Sequence, residues 1–353
     1  MHGGNRKTIR MAKLDIHLPV RPEWLALHSE PVLEPDLAII DPHHHLWDRP
    51  GARYLLPELL EDTGTGHKII ATVFMQCQTM YRATGPESMK PVGETEFVNG
   101  VAAAAASGVY GPTLACAGIV GHANMLLGEA IEDVLLAHIR AGGNRFRGIR
   151  HITAWDADTS LLNPRSAAPE GLMKESTFAK GVATLGKHGL SFDAWLFHPQ
   201  IPELAALAAD CPDTCIILDH CGGPIGRGSY AGRREEVFKA WAADIRELAK
   251  RDNVIVKLGG LSMRINGFGF ETADRPPSSQ VIADQWRPYI DTCIEAFGVR
   301  RCMFESNFPV DKGSQSYLVM WNACKLLAAH TSVDEKAALF RETARTVYRL
   351  TDL

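Results

Sequence analysis

Eight short apolar segments, separated by helical stretches, constrain this chain more than any other feature. They are Leu37 to Ile40, Ile69 to Gln78, Leu114 to Val120, Phe146 to Arg150, Leu190 to Leu196, Thr214 to Leu218, Val254 to Leu258 and Cys302 to Glu305. Each has the length and composition of a buried strand. Helical stretches fall between them: alanine-rich Glu94 to Ser107, Glu129 to Arg140 with Gly142 and Gly143 as its stop, Ile201 to Ala209, Arg233 to Lys250, Ile282 to Phe297 and Gln315 to Ala329. Ser332-Val333-Asp334-Glu335 has the form of a capping box that opens a last helix. Strands alternating with helices give a parallel sheet, and eight of them favour closure into a (β/α)8 barrel. An open doubly wound sheet is the competing architecture. It lacks a glycine fingerprint after the first strand, and Gly223-Pro224-Ile225-Gly226-Arg227-Gly228 is too loose for a phosphate loop. No repeat or linker divides the chain. The expectation is one α/β barrel domain over 37–353, preceded by an arm over 1–36 lying on it, with Met11 as an alternative start.

A length of 353 residues suits one such barrel, and 46% apolar residues supply a sizeable core. Net charge is −4 with signs interspersed, which excludes a basic nucleic-acid surface. No segment is long and apolar enough to span a bilayer, and the N-terminus has no signal core. The eight cysteines have neither disulfide-framework nor zinc spacing, so we read them as reduced and buried, in a cytoplasmic protein. A small-molecule substrate is the expected partner, and a homo-oligomer is compatible with the sequence.

In such barrels the chemistry gathers at the C-terminal ends of the strands. Polar residues recur there, where buried strands ought to stay apolar. They are His43 and His45, Gln76 and Gln78, Arg150 and His151, Asp193 and Trp195 with His198 beyond, Asp219 and His220, Lys257, and Glu305-Ser306-Asn307. Pro42 should end regular pairing of the first strand. In extended geometry His43 and His45 would then share a face and bind a metal or polarise a substrate. Taken singly, each residue has an ordinary structural explanation, such as Arg150 capping a helix or Lys257 pairing inside the barrel. Together they point to a polar cavity, because burying so many unpaired would be costly.

The ordered motifs also carry a resemblance. Asp41-Pro42-His43-His44-His45-Leu46-Trp47-Asp48 resembles the opening motif of the amidohydrolase superfamily. More narrowly, it is similar to the amidohydrolase-2 branch of TIM-barrel hydrolases, which includes sugar lactonases and 2-pyrone-4,6-dicarboxylate lactonase. Phe146-Arg147-Gly148-Ile149-Arg150-His151, Leu218-Asp219-His220-Cys221-Gly222-Gly223-Pro224, Val256-Lys257-Leu258-Gly259-Gly260 and Phe304-Glu305-Ser306-Asn307-Phe308-Pro309 agree in order. The resemblance implies a distorted (β/α)8 TIM barrel. It places His43, His45 and His220 at the family's active-site histidines, and Arg150 where an arginine binds a carboxylate or hydroxyl.

One departure matters. Asn307 stands where the family usually has an aspartate that serves as general base and, where a metal is used, as ligand. A neutral amide cannot take that proton at physiological pH. Glu305, two residues earlier, replaces a glycine and should point into the same cavity one layer deeper. Asp311 is a second carboxylate candidate, beyond Pro309. The expectation is a hydrolase, opening a lactone or related cyclic ester of a small carboxylate- or hydroxyl-bearing substrate. Gln76, Arg150, Asp193, Trp195 and Lys257 would bind that substrate. His43, His45 and His220 would polarise the carbonyl, and a carboxylate would activate water. A single divalent ion, zinc favoured, would sit on His43 and His45 with help from Glu305 or His220, although some enzymes of this branch work without metal. A lyase acting on an unsaturated or aromatic acid, and a ligand-binding barrel that has lost catalysis, are the alternatives. The loop Asn266 to Pro277 is expected to wall the pocket.

Overall fold

A computed structural model describes residues 17–351. The first sixteen residues, Met11 included, lie outside the described residues. Ten strands follow in chain order: β1 Ala38–His44, β2 Trp47–Arg49, β3 Ala52–Tyr54, β4 Lys68–Met75, β5 Leu114–Gly121, β6 Phe146–Arg150, β7 Ser191–Ala194, β8 Ile216–Leu218, β9 Val254–Leu258 and β10 Cys302–Phe304. β2 and β3 form a small antiparallel hairpin. The other eight make one sheet in the order β1-β4-β5-β6-β7-β8-β9-β10, with every pair parallel. Helices connect them over the outside, the longest being Val92–Ala106, Arg234–Leu248 and Ser279–Phe297.

The seam between β10 and β1 closes just beyond the end of β10. There Asn307 N donates to His43 O at 2.9 Å and His45 N donates to Phe308 O at 2.8 Å. Asp41 pins the same seam. Its carboxylate accepts from Ser306 N at 3.0 Å, Ser306 Oγ at 2.6 Å and Tyr317 OH at 2.9 Å. Burial drives the Asp41 carboxyl up to about 6 against the pull of those donors. The sheet is thus a nearly closed (β/α)8 barrel, distorted at the seam. β1 continues through Pro42 to His44, so the proline does not end the strand. It interrupts the ladder instead: the register slips between Asp41 and His44.

Two apolar layers hold the barrel. Outward residues such as Phe74, Ile119, Phe192 and Leu218 pack against Trp241, Trp286 and Trp321 of the surrounding helices. Inward residues such as Val73, Met75, Val120, Ile217 and Met303 close on Tyr348 and Leu350, which the C-terminal segment contributes. Of the arm, the described residues lie on the barrel. Lys325 Nζ donates to Leu33 O at 2.7 Å and Glu34 O at 2.9 Å, and Asn322 Nδ2 donates to Pro31 O at 2.8 Å. All eight cysteines are free thiols and seven of them are buried. No helix among the described residues is long and apolar enough to cross a membrane.

Candidate active site

A cavity of about 580 Å³ opens at the C-terminal ends of the strands. Six of its wall residues each enter from a different strand end. His45 follows β1, Gln76 follows β4, Arg150 ends β6, Trp195 follows β7, His220 follows β8 and Asn307 follows β10. Arg49, from the hairpin, and Arg165, from the loop after β6, line the mouth.

Beneath this surface lies a fully buried layer of charge. Lys257 Nζ donates to Asp193 Oδ1 at 2.8 Å and Asp219 Oδ1 at 3.0 Å, and sits 3.2 Å from His43 Nδ1. Tyr348 OH donates to Asp193 Oδ1 at 2.6 Å. Burial alone would strip the lysine of its proton, yet Asp193 and Asp219 outweigh it and hold its pKa above the ordinary value. The Asp219 carboxyl is desolvated as well, but Lys257 and His43 pull it well below the usual range. Asp193 is driven up by burial despite Lys257.

Glu305 is the next layer. Its Oε1 accepts from His220 Nδ1 at 2.6 Å and from His220 N at 3.1 Å. Its Oε2 lies 2.9 Å from His43 Nδ1, but that contact is not directed as a hydrogen bond, so the oxygen is buried without one. Burial acts to raise the Glu305 carboxyl, and the two histidine rings more than reverse it, to about 2. Two glycines make room for this pair. A Cβ on Gly259 would stand 2.6 Å from Glu305 Cγ, and one on Gly260 would stand 2.2 Å from His220 Nδ1. Gly260 also has φ +62, a left-handed conformation that favours glycine.

The histidines differ in what they offer. His45 Nδ1 donates to the Met75 carbonyl at 2.9 Å, which leaves the lone pair of its Nε2 unused by the protein. Burial keeps this ring neutral, well below its ordinary pKa. His220 likewise spends Nδ1 on Glu305 and keeps Nε2 for the cavity that it lines. His43 is enclosed: Nδ1 faces Glu305 and Lys257, and Nε2 lies 3.3 Å from Arg150 Nη1. Burial and then Lys257 lower His43 to about 4. Arg150 Nη2 donates to the Gln76 carbonyl, and its Nε has no partner. Gln76 Oε1 is also without a partner.

Of the residues expected at the site, His45, Gln76, Arg150, Trp195, His220 and Asn307 line the cavity, while His43 and Glu305 underlie it. Asp193 and Lys257 are fully buried and neutralise each other below His43, away from any substrate. Asn307 does not take the place of a base. Its Nδ2 donates to Asp311 Oδ1 at 2.9 Å, and Asp311 also accepts from Ser262 N at 3.1 Å, so Asp311 is occupied in holding the seam loop. The loop Asn266 to Pro277 does not wall the pocket. Phe268 stacks on Phe270 and under Arg234, and the wall comes instead from Met263, Arg264 and Ile265. Asp219 was expected at a strand end but given no role, and Arg49 and Arg165 were not expected at the site. The Asp219-His220 pair at a strand end was the signal for the first; the hairpin and loop that deliver the arginines carried none.

His43, His220 and Glu305 form the one group among the described residues whose donor atoms, one from each, lie within 4.8 Å of each other as a metal site requires. The set fits a divalent ion by donor type, being two imidazoles and a carboxylate, and Glu305 Oε2 is an oxygen free of directed hydrogen bonds. His45, expected in that set, stands outside it because the ladder slip at Pro42 breaks the two-residue alternation. The rings of His43 and His45 remain neighbours, 5.0 Å apart and edge-on.

Fold and cavity together define the class: a parallel (β/α)8 barrel with a polar site of histidine and arginine set over buried carboxylates. The chain belongs to the amidohydrolase 2 family, whose profile matches residues 40–350. It is 33% identical over 341 residues to the uncharacterized protein y4mH of Sinorhizobium fredii, covering 89% of this chain and 99% of that one. It is 27% identical over 328 residues to the L-fucono-1,5-lactonase of Burkholderia multivorans, covering 88% and 96%. Among solved structures it resembles an amidohydrolase from Burkholderia multivorans with bound zinc, with a TM-score of 0.67 at 24% identity, covering 88% of this chain and 99% of that one.

Proposed function

We propose that this protein is a hydrolase that opens a lactone of a small acid. The observation that carries the reading is the Glu305–His220 pair beneath the cavity, beside Arg150. Glu305 accepts from His220 Nδ1, which fixes the tautomer and leaves Nε2 as the base. Nε2 takes a proton from water as the water oxygen bonds to the lactone carbonyl carbon. Arg150 faces the oxygen that becomes anionic. The ring C–O bond then breaks, the leaving alkoxide takes the proton from His220, and a hydroxy acid departs. His45 Nε2 accepts from a substrate hydroxyl, and Arg49 and Arg165 hold a carboxylate at the mouth. A divalent ion, zinc by analogy with the Burkholderia multivorans neighbour, would be held by His43, His220 and Glu305; with it bound, His220 would be a ligand and not the base, and the ion would supply the Lewis acidity in its place. The 27% identity to a lactonase supports the reaction class. The test is acid release from a panel of sugar and dicarboxylate lactones, followed with a pH indicator. Silence across the panel sinks the lactonase reading.

One observation favours a second reading. Among the described residues no carboxylate lines the cavity, and Asn307 is tied to Asp311. An arginine-rich cavity without acid at its surface also suits a lyase that expels carbon dioxide from an anionic substrate. Carbon dioxide evolution from aromatic or unsaturated acids, without ring opening, would select it.

A further inference from the structure

The polar cavity is half of a larger space. A second lobe of about 570 Å³ adjoins it and shares with it His17, Ile152, Asn163, Ser166, Trp195, Met263 and Val310. The character changes from one lobe to the other. Beyond the shared residues, the second lobe is walled by Leu18, Ala154, Leu161, Phe197 and Ile265, with Arg264 as the one charged side chain among the described residues. Trp195 joins the two. Its ring lies 4.8 Å from that of His220 and 6.0 Å from that of Phe197.

This wall is built, not incidental. Leu161, Ala154 and Phe197 are buried and belong to one apolar cluster with Ile225. Polar groups behind them pin the loop after β6. Tyr230 OH donates to Asp156 Oδ2 at 2.8 Å, Ser229 N donates to Asp158 Oδ2 at 2.9 Å and Gln200 Nε2 donates to the Thr153 carbonyl at 2.8 Å. None of the residues in those bonds lines the lobe itself. The polar side chains His17, Asn163 and Ser166 stand on the shared border, so beyond it a hydroxylated substituent would lose water with Arg264 alone to meet among the described residues, whereas an apolar one would gain by its buried area.

Building on the lactone reading, we propose that the substrate carries an apolar alkyl or aryl substituent that fills the second lobe while its ring carbonyl meets His220 and Arg150. The preferred class is thus an apolar-substituted lactone, not a fully hydroxylated sugar lactone.

The test measures binding and needs no turnover. Calorimetry on the full chain compares the ring-opened acids 4-hydroxybutanoate, 4-hydroxyoctanoate and 4-hydroxydecanoate with gluconate. Affinity should rise about three- to fourfold per added methylene until the lobe is full, and the longer acids should bind more tightly than gluconate. Leu161→Asn and, at a less buried position that tolerates change, Ile265→Asn should each flatten that slope. A flat slope in the natural protein, or gluconate binding more tightly than the decanoate, overturns the proposal. The two readings fail separately. A steep slope with no lactone opened removes the lactonase reading and leaves the apolar subsite. Turnover of sugar lactones with a flat slope removes the subsite alone.

Discussion

Replacing Glu305 with glutamine keeps the shape of the side chain and removes its charge, so it isolates what the carboxylate does. Three contacts change at once: two donors from His220 at 2.6 and 3.1 Å, and His43 Nδ1 at 2.9 Å. A neutral amide oxygen can still accept from His220, but each charge-assisted bond loses roughly half its strength. More important is the base. With the carboxylate present, transfer of a proton to His220 Nε2 creates an imidazolium beside an anion. In Glu305→Gln the same imidazolium forms in a site that already holds Arg150 and Lys257. Loss of a positioned acid–base group costs about 10²- to 10⁴-fold, and kcat should carry that loss. KM should change little, since Arg49, Gln76 and Arg165 are untouched. The assay is initial-rate kinetics on the best lactone of the panel, with metal content measured on the same preparation. Near-stoichiometric metal that disappears in the variant assigns Glu305 to an ion as well. A variant that retains activity within threefold of the parent, with or without chelator, would falsify the assignment of the base.

Other outcomes follow from the same geometry. Lys257→Met leaves Asp193 and Asp219 buried without their cation and should cost about 3–5 kcal/mol, read as a lower denaturant midpoint; adding Asp193→Asn should recover part of it. Gly260→Ala places a methyl group on the His220 ring and forces a left-handed alanine, so activity should fall at least tenfold while circular dichroism stays near that of the parent. Glu94 is a buried carboxyl pushed up to about 7 by burial, despite Thr79 N and Cys77 N, which both bond its Oε1. Its folded pKa exceeds its unfolded value, so its favourable contribution is full below about 4.5 and is lost as pH rises through 7. Glu94→Gln keeps the accepting oxygen and should therefore raise the thermal midpoint at pH 8 relative to the parent, with the gain vanishing near pH 4.

The strands were legible because each is an apolar run bounded by punctuation. Phe146–Arg150 and Val254–Leu258 stand where the composition puts them, to the residue. The hairpin Trp47–Arg49 with Ala52–Tyr54, and the helix Leu56–Thr63, lay in a stretch that reads as a proline- and glycine-rich loop. Strands of three residues are too short to show a period, and these are held by tertiary contact: Trp47 stacks on His45, and Arg49 lies over Trp47. At the site, period-two reasoning from Asn307 put Glu305 into the same cavity one layer deeper; the structure instead seals it beneath the cavity, between His43 and His220.

Depth was the part that sequence could not supply. Asp193 and Trp195 are two residues apart, and so are Glu305 and Asn307, yet one of each pair reaches the cavity and the other is sealed. How far a residue sits down the barrel depends on strand stagger, which no single strand encodes. The consequence is a vertical order of charge. Lys257 with Asp193 and Asp219 lies lowest, Glu305 between His43 and His220 comes next, and His220 with Arg150 meets the cavity. Each ionised group rests on one of opposite sign or on a ring that donates to it. In the proposed mechanism that stacking lets a carboxylate with no exposure remain charged and hold a base for substrate above it. On that mechanism, residues that never touch substrate are as necessary to the chemistry as those that do.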